Sequence, residues 1–179
     1  LIFAGLFNDS FGAVNNDILA FFGIDPIPWM TDEMWSRVAL ILMQGWLGFP
    51  YIFIVTTGVL QSIPEDLYEA ATIDGASIFA KFKNITLPMI FIAMAPIIIT
   101  QFTFNFNNFN IIYLFNGGGP AVAGSTAGGT DILVSWIYKL TMQSSQYSLA
   151  AALTILLTIF DVGIALWQFR RTNSFKEGA

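Results

Sequence analysis

The chain of 179 residues contains no cysteine and no histidine. Without cysteine it can form neither a disulfide nor a thiolate metal site, and without histidine the common metal centres and catalytic triads are largely excluded. Charged residues are also scarce, at 11% of the sequence against 55% hydrophobic residues. Because an ordinary soluble domain carries about 25% charged residues, this composition excludes such a domain.

Two further absences argue against an enzyme. The sequence has no Gly-x-x-x-x-Gly-Lys-Ser/Thr phosphate-binding loop, and it offers no nucleophile paired with a base. We therefore expect no catalytic residue, no metal ligand and no cofactor in this chain. The formal net charge of −5 also gives no reason to expect nucleic acid as a partner.

Long apolar runs are present instead. Residues 38–60 and 87–115 contain no charged side chain, and residues 149–169 contain only Asp161. Each run is at least as long as the roughly 20 residues that cross the hydrocarbon core of a membrane. We therefore predict an all-α polytopic protein embedded in membrane lipid. Its transmembrane helices are predicted over residues 37–60, 87–115 and 147–169.

The positive charges predict the orientation of these spans. Most basic residues lie in two segments and are Lys81, Lys83, Arg170, Arg171 and Lys176. Because cytoplasmic segments are enriched in Lys and Arg, the loop 61–86 and the tail 170–179 are predicted to be cytoplasmic. The acidic segment 8–36 is predicted to be an external loop, and so is the flexible, Gly-rich segment 116–146, which contains a short amphipathic helix. Residues 1–7 are apolar and too few to span, which predicts the end of a truncated transmembrane helix in a fragment of a longer protein.

The predicted cytoplasmic loop contains signals for two short helices. The run Ser62-Ile-Pro-Glu65 predicts a helix start, with Ser62 as the N-cap and the glutamate as its reciprocal capping partner. This helix is predicted to end at about Ile73. Because Gly75 can adopt a positive φ, the chain is expected to turn there into a second helix over residues 77–83.

A motif lies within this loop: Glu69-Ala-Ala-Thr-Ile-Asp-Gly75 is followed by Ile85-Thr-Leu-Pro88. It resembles the signature loop of the membrane subunits of binding-protein-dependent ABC importers, which docks onto the ATPase subunit. The resemblance implies part of an ABC importer permease (MetI-like) helical bundle that couples to an ABC ATPase dimer. The implied coupling residues are Glu69, Ala70, Ala71, Asp74 and Gly75. The alternative is an ordinary loop helix, which needs only an amphipathic face and a cap.

Polar side chains follow one face of each of two predicted membrane helices. The spacing i, i+3, i+4, i+7 is shared by Gln44, Leu47, Gly48 and Tyr51 and by Gln101, Phe104, Asn105 and Asn108. Amides facing lipid would be left without hydrogen-bond partners, so both faces are predicted to point into the bundle. Two roles stay open there: joining helices, or binding an uncharged sugar through aromatic rings and amides.

Two of these segments carry a second resemblance. Asn105-Phe-Asn-Asn-Phe109 and Gly45-Trp-Leu-Gly-Phe-Pro-Tyr51 are similar to segments of the maltose and maltodextrin permeases of the MalF family. The similarity covers nearly the whole chain and implies an oligosaccharide substrate. The implied substrate-binding residues are Leu47, Gly48, Tyr51, Phe104, Asn105 and Asn108. Gln44 and Gln101 do not match the family's residue types, so the preferred oligosaccharide is left open.

The same resemblance implies partners and a location. The expected partners are a second, MalG-like permease subunit, the ABC ATPase dimer and an extracytoplasmic sugar-binding protein. The expected location is the cytoplasmic membrane of a bacterium, with the C-terminus inside the cell. A permease for another sugar, a polyol or a non-sugar solute is the alternative within this class.

Asp161 has two interpretations. A carboxylate that faces lipid in mid-span costs at least about 2.5 kcal/mol, so Asp161 is expected to face the bundle. One hypothesis is ion coupling in a secondary transporter, which usually requires a further ionisable residue in the membrane, and residues 38–60 and 87–115 supply none. The favoured interpretation is a neutral or hydrogen-bonded residue that contacts a partner helix.

Overall fold

The computed structural model describes residues 1–171, and this part of the chain consists of helices and connecting loops. The α-helices are α1 (Ile2–Leu6), α2 (Glu33–Ser62), α3 (Glu65–Ile73), α4 (Ile78–Lys81), α5 (Leu87–Phe106), α6 (Phe109–Asn116), α7 (Leu133–Met142) and α8 (Tyr147–Arg171). Turns of π-helix occupy Val14–Leu19 and Phe82–Thr86. Over the described residues, β pairing is limited to an isolated bridge between Ala121 and Gly128. The predicted all-α fold is confirmed.

Among the described residues, 3 helical segments are long and apolar enough to cross a membrane. They are Glu33–Ser62, Ile78–Asn116 and Tyr147–Trp167, with 30, 39 and 21 residues. By length and composition, the prediction of three spanning helices is therefore confirmed. The predicted tail 170–179 falls mostly on residues 172–179, which lie outside the described part of the chain.

The chain divides into two compact units. The first unit comprises residues 1–47 and 104–163, and the second comprises residues 48–103 and the chain from Ile164 onward. The core of the first unit is formed by Phe7, Trp29, Ala39, Met43 and Phe115. The Phe7 ring meets the ring of Trp29 edge-on at 5.2 Å and that of Phe115 at 6.3 Å between centroids. The core joins the end of α1 to α2, to α6 and to the loop before α2.

The loop between α1 and α2 is organised around one buried amide. Asn15 is 3% exposed, and its Nδ2 donates to the carbonyl oxygens of Asp9 at 3.2 Å and Ile27 at 2.9 Å. Its Oδ1 accepts from the Ile27 amide at 3.1 Å and from Trp29 Nε1 at 2.8 Å. Because both donors and both acceptor positions of the side chain are used, the loop is held in one conformation.

The predicted helix over residues 87–115 is interrupted in the structure. α5 ends at Phe106 and α6 begins at Phe109, while Asn108 has φ −77° and ψ 78°, outside the helical region. The Phe109 amide donates to the Asn107 carbonyl at 2.8 Å. Asn has a low helix propensity, and two consecutive Asn residues favour a break at this point.

A buried ion pair orders the end of the loop between α6 and α7. Asp131 Oδ2 accepts from Lys139 Nζ and from the Gly128 amide, each at 2.6 Å. Its Oδ1 accepts from Ser135 Oγ at 2.9 Å. Gly118, at φ +81°, lies against this carboxylate, and a Cβ at that position would collide with it. The Gly-rich composition predicted a flexible loop, but these contacts fix its last residues onto α7.

Three aromatic rings pack α7 against α6. The Phe109 ring stacks on Tyr113 at 4.9 Å, and Tyr138 lies 4.9 Å from Phe109 and 5.1 Å from Tyr113. A hydrogen bond with Tyr113 raises the pKa of Tyr138 above its ordinary value. Tyr138 therefore stays a neutral phenol around pH 7.

In the second unit, α2 continues through Pro50 to Ser62. Thr56 Oγ1 lies 3.1 Å from Met94 Sδ, which joins α2 to α5. Ser62 is the last residue of α2, and its Oγ donates to the Val59 carbonyl at 2.7 Å. The prediction that Ser62 caps α3 is wrong, because α2 extends to Ser62 and the hydroxyl bonds back to a carbonyl of α2. Pro64 precedes α3 without a side-chain cap.

Candidate functional site

Three amide side chains meet in the first unit, between α2 and the α5–α6 break. Gln44 Nε2 donates to Asn105 Oδ1, and Gln44 Oε1 accepts from Asn108 Nδ2 at 3.0 Å. We refer to Gln44, Asn105 and Asn108 as the amide cluster. The cluster joins α2 to both sides of the break, which is the helix-joining role that the spacing left open. Gln44 and Asn108 can each form further hydrogen bonds, since an amide offers two donors and two acceptor positions.

Gln44 is the functional candidate that the sequence reasoning left without a role. It shares the polar face of α2 with Leu47, but its residue type did not match the family pattern. The spacing of Gln44 could have indicated this role, since a polar residue one helical turn before Leu47 faces the same neighbours. In the structure it is the residue that connects Asn105 with Asn108.

The amide cluster lines a cavity of about 420 Å³ in the first unit, together with Arg37 and residues 129–132. Arg37 Nε donates to the Gly129 carbonyl at 3.0 Å, and its guanidinium pairs with Glu33. Asp131, the other charged residue at this cavity, is paired with Lys139. Each charge has a partner of opposite sign, so the cavity presents neutral amides and apolar side chains. Within the described residues, no group of three or more His, Cys, Asp or Glu side chains could hold a metal ion.

The remaining predicted substrate residues are more dispersed. Leu47 lines a second, apolar cavity of about 530 Å³ together with Asn108. Phe104 precedes Asn105 on α5 and is 63% exposed. Gly48 and Tyr51 follow Leu47 on α2 but belong to the second unit, as does Gln101. Tyr51 is 49% exposed.

Asp161 is hydrogen-bonded within the first unit. Asn107 Nδ2, in the α5–α6 break, donates to Asp161 Oδ2 on α8 at 2.8 Å. Both residues are half-buried. The favoured interpretation of Asp161, a hydrogen bond to a neighbouring helix segment, is confirmed by this contact.

In the second unit, the motif around Gly75 forms a helix C-cap. The Ala76 amide donates to the Ala71 carbonyl at 2.9 Å, and the Gly75 amide donates to the Thr72 carbonyl at 3.0 Å. These two bonds are those of a Schellman motif, which places Gly75 at the left-handed position. Its φ is +74°, as predicted, and α3 ends at Ile73 as predicted. Ser77 then caps α4, accepting from the Ala80 amide at 3.2 Å.

Two side-chain contacts fold this segment back on itself. Tyr68 Oη lies 2.8 Å from Thr86 Oγ1, and Lys81 Nζ donates to Thr72 Oγ1 at 2.5 Å. Both contacts join α3 to the helix that follows Gly75. We refer to residues 65–86 as the handle. α4 passes through the π-helical turn directly into α5, so the second helix of the handle extends past the predicted residue 83.

The predicted coupling residues lie on the surface of the handle. Glu69, Ala70, Asp74 and Gly75 are exposed, and Ala71 is half-buried. Apolar side chains beside them are also exposed: Ile73 and Ile78 each to 87%, and Phe79 to 72%. A rigid turn surrounded by exposed apolar side chains is typical of a surface that another protein covers.

Comparison with known proteins places these features in a family. A family model described as "Binding-protein-dependent transport system inner membrane component" matches residues 2–173. The chain is 87% identical over 179 residues to the galactooligosaccharides transport system permease protein GanP of Bacillus subtilis, covering 100% of this chain and 43% of that protein. It is 55% identical over 183 residues to the maltodextrin transport system permease protein MalC of Streptococcus pneumoniae, covering 98% and 42%. It is also 42% identical over 178 residues to the maltose/maltodextrin permease MalF of Vibrio parahaemolyticus, covering 97% and 34%.

A solved structure is similar throughout the chain. It is a bacterial alginate ABC transporter in complex with an alginate pentasaccharide-bound periplasmic protein. The TM-score is 0.80 at 28% sequence identity, covering 97% of this chain and 60% of that one. The chain spans less than half the length of the curated relatives named above. The resemblance predicted from the handle motif is confirmed: the chain belongs to the family of binding-protein-dependent transport system inner membrane components.

Proposed function

We propose that this chain is part of the membrane-spanning permease subunit of an ATP-driven oligosaccharide importer. The observation that carries the proposal is the cavity lined by Gln44, Asn105 and Asn108, in a chain whose relatives are named as sugar permeases. The protein would form part of the route through the membrane. As the family resemblance implies, ATP hydrolysis would belong to a separate ATPase subunit.

The chemistry of the cavity supports an uncharged sugar. Amides donate to and accept from hydroxyl groups, and apolar side chains cover the C–H faces of the sugar rings. The two charged residues at the cavity, Arg37 and Asp131, already have partners of opposite sign. The proposed substrate-binding residues are Leu47, Gly48, Tyr51, Phe104, Asn105 and Asn108.

Among uncharged oligosaccharides, we favour galactooligosaccharides over maltodextrins. The identity to the galactooligosaccharide permease is 87%, against 55% to the maltodextrin permease MalC. The motifs around Gly48 and Asn105 alone favoured maltodextrin. The preferred sugar is thus revised by the degree of similarity over the whole chain.

The handle is proposed to couple sugar movement to ATP hydrolysis. Its exposed apolar residues around the Gly75 turn, Ile73 and Ile78, fit a cleft in an ABC ATPase dimer. Glu65, Asp66 and Glu69 give one side of α3 an acidic surface that suits a basic partner. The other proposed partners are a MalG-like permease subunit and an extracytoplasmic protein that delivers the sugar. ATP binding would open the cavity outward, and hydrolysis would reset it.

The substrate assignment is tested by uptake of labelled sugars into cells that contain the full-length permease and its partner subunits. We expect ATP-dependent uptake of galactooligosaccharides, with maltodextrins taken up more slowly. The double variant Asn105→Ala with Asn108→Ala should lose this uptake, while the subunits still assemble. Asn16→Ala is the control, because Asn16 is an exposed Asn that lines neither of the two cavities.

Three results would contradict the proposal in different ways. Normal uptake in the double variant would show that the substrate residues are wrong. Uptake of a polyol or a non-sugar solute, with no competition by oligosaccharides, would show that the substrate class is wrong. Uptake that persists without ATPase activity and is abolished by Asp161→Asn would favour an ion-coupled transporter instead.

A further inference from the structure

Asp161 and Asn107 have no role so far in substrate binding or coupling, yet they hold the α5–α6 break. Asn107 Nδ2 lies 2.8 Å from Asp161 Oδ2. The preceding residues also meet: the rings of Phe106 and Phe160 are 5.6 Å apart between centroids. Phe106, the last residue of α5, and Asn107, which follows it, therefore contact two consecutive residues of α8. These contacts attach the break to α8.

The break directs neighbouring side chains to different helices. Asn105 and Asn108 contact Gln44 on α2, whereas Asn107 contacts Asp161 on α8. Asn107 and Asn108 lie between the two helices, so regular helical hydrogen bonds do not set the direction of their side chains. Contacts on both sides of the break have to supply that restraint.

We propose that Asp161 is a positioning residue for the amides that bind sugar. By accepting from Asn107, it fixes the break and so directs Asn105 and Asn108 toward Gln44 and the cavity. The inference rests on the proposed function and adds to it a residue that touches no sugar. The carboxylate acts through its acceptor oxygen and not through its charge, so an amide at position 161 can replace it.

The test uses the full-length permease assembled with its partner subunits and ATPase in proteoliposomes. The readouts are the galactooligosaccharide concentration that gives half-maximal uptake and the maximal rate. Asp161→Leu removes the acceptor and keeps an apolar side chain of similar size. We expect it to raise the half-maximal concentration about three- to tenfold, the range given by loss of one side-chain hydrogen bond in a membrane. The maximal rate should stay within about twofold of wild type, because the variant weakens sugar binding and leaves the steps of the transport cycle intact.

Two variants test the acceptor role directly. Asp161→Asn keeps an oxygen at the same place and should stay within about twofold of wild type. Asn107→Asp puts two carboxylates together and should weaken sugar uptake at least as much as Asp161→Leu. Adding Asp161→Asn to Asn107→Asp exchanges the two groups, remakes the hydrogen bond and should restore the half-maximal concentration. If the pair only stabilised the fold, exchanging the two groups would not restore the sugar concentration that gives half-maximal uptake.

Asn105→Ala separates failure of this inference from failure of the proposed function. If Asn105→Ala leaves the half-maximal concentration unchanged, the sugar site is wrong and the positioning role falls with it. If Asn105→Ala raises that concentration and Asp161→Leu does not, only the positioning role is wrong. Loss of uptake in an assembled Asp161→Asn complex also overturns the positioning role, since the charge would then be required. If Asp161→Leu does not assemble, Asp161→Ser decides the question, because it stays polar but is too short to reach Asn107.

Discussion

Lys139 Nζ lies 2.6 Å from Asp131 Oδ2, and the exposed fractions of the two side chains are 14% and 1%. The pair connects the last residues of the Gly-rich loop to α7. Breaking a buried pair from one side leaves a charge without its partner, which costs about 3–5 kcal/mol. The order of this loop therefore depends on Lys139.

We expect Lys139→Met to lower the free energy of unfolding by about 3–5 kcal/mol, measured by denaturation of the full-length permease in detergent. The double variant Asp131→Asn with Lys139→Met should recover part of the loss, because the amide no longer needs a cation and its oxygen still accepts from Gly128. Lys83→Met is the control: Lys83 is exposed, and its loss should change the stability by less than about 0.5 kcal/mol. Equal effects of the two Lys variants would contradict the buried role of Lys139.

Asn15 provides a second stability test, with its neighbour as the control. Asn15→Leu keeps the size of the side chain but leaves the Ile27 amide and the Trp29 indole N–H without acceptors. At about 1–3 kcal/mol for each unpaired group, we expect a loss of about 3 kcal/mol or more in the free energy of unfolding. Asn16→Leu should cost less than about 1 kcal/mol, because Asn16 is exposed and makes one hydrogen bond, to the Ser10 carbonyl at 3.1 Å. Faster proteolysis of the α1–α2 loop in the Asn15 variant alone gives an independent readout.

Gly75 is required for its backbone conformation and not for space. Its φ is +74°, and a Cβ added there would meet no atom within 4 Å, so Gly75→Ala introduces only the left-handed strain of about 1–2 kcal/mol. We expect Gly75→Ala to reduce sugar-stimulated ATP hydrolysis by the assembled importer, with the sugar concentration at half-maximal stimulation unchanged. Gly75→Asn should be milder, since Asn tolerates this conformation. An Asn variant as impaired as the Ala variant would show that something other than φ matters at this position.

Tyr68 and Thr86 give a test of the handle's internal rigidity. Their hydroxyl oxygens are 2.8 Å apart, and Thr86 is 9% exposed. In a double-mutant cycle with Tyr68→Phe and Thr86→Val, we expect a coupling of about 0.5–1.5 kcal/mol in the free energy of unfolding. Each single variant should also lower sugar-stimulated ATP hydrolysis, and the double variant should lower it little further. Strictly additive effects would show that the two hydroxyls do not act together.

Features that depend on composition and local backbone preference could be predicted from the sequence. The three apolar spans follow from hydropathy, and the end of α3 at Ile73 follows from the only nearby residue that adopts a positive φ easily, Gly75. The family could be recognised because its motif is local, with Glu69 and Pro88 only 19 residues apart. Each of these depends on residues close together in the chain.

Features that depend on distant partners could not be predicted. Spacing put Asn105 and Asn108 on one helix face, but the helix ends between them, and both side chains bond to Gln44 on α2. Ser62 failed as an N-cap because α2 extends to that residue. The roles of Asn15 and Lys139 were missed, because nothing in the local pattern indicates which partners a folded loop brings to a buried amide or ammonium group.

The absence of a loop between α4 and α5 has a mechanical consequence. From Ile78 to Thr103 the second unit contains unbroken helical backbone, including the π-helical turn. From Ile78 to Leu87, at about 1.5 Å per residue, the helix covers about 13 Å with no slack in which a displacement could be lost. A displacement of the Gly75 turn would therefore be transmitted along this helix to α5 as tilt or rotation. The π-helical turn at Phe82–Thr86 adds a second possible motion. Gaining or losing its extra residue would rotate α5 about its axis by about 100° relative to α4.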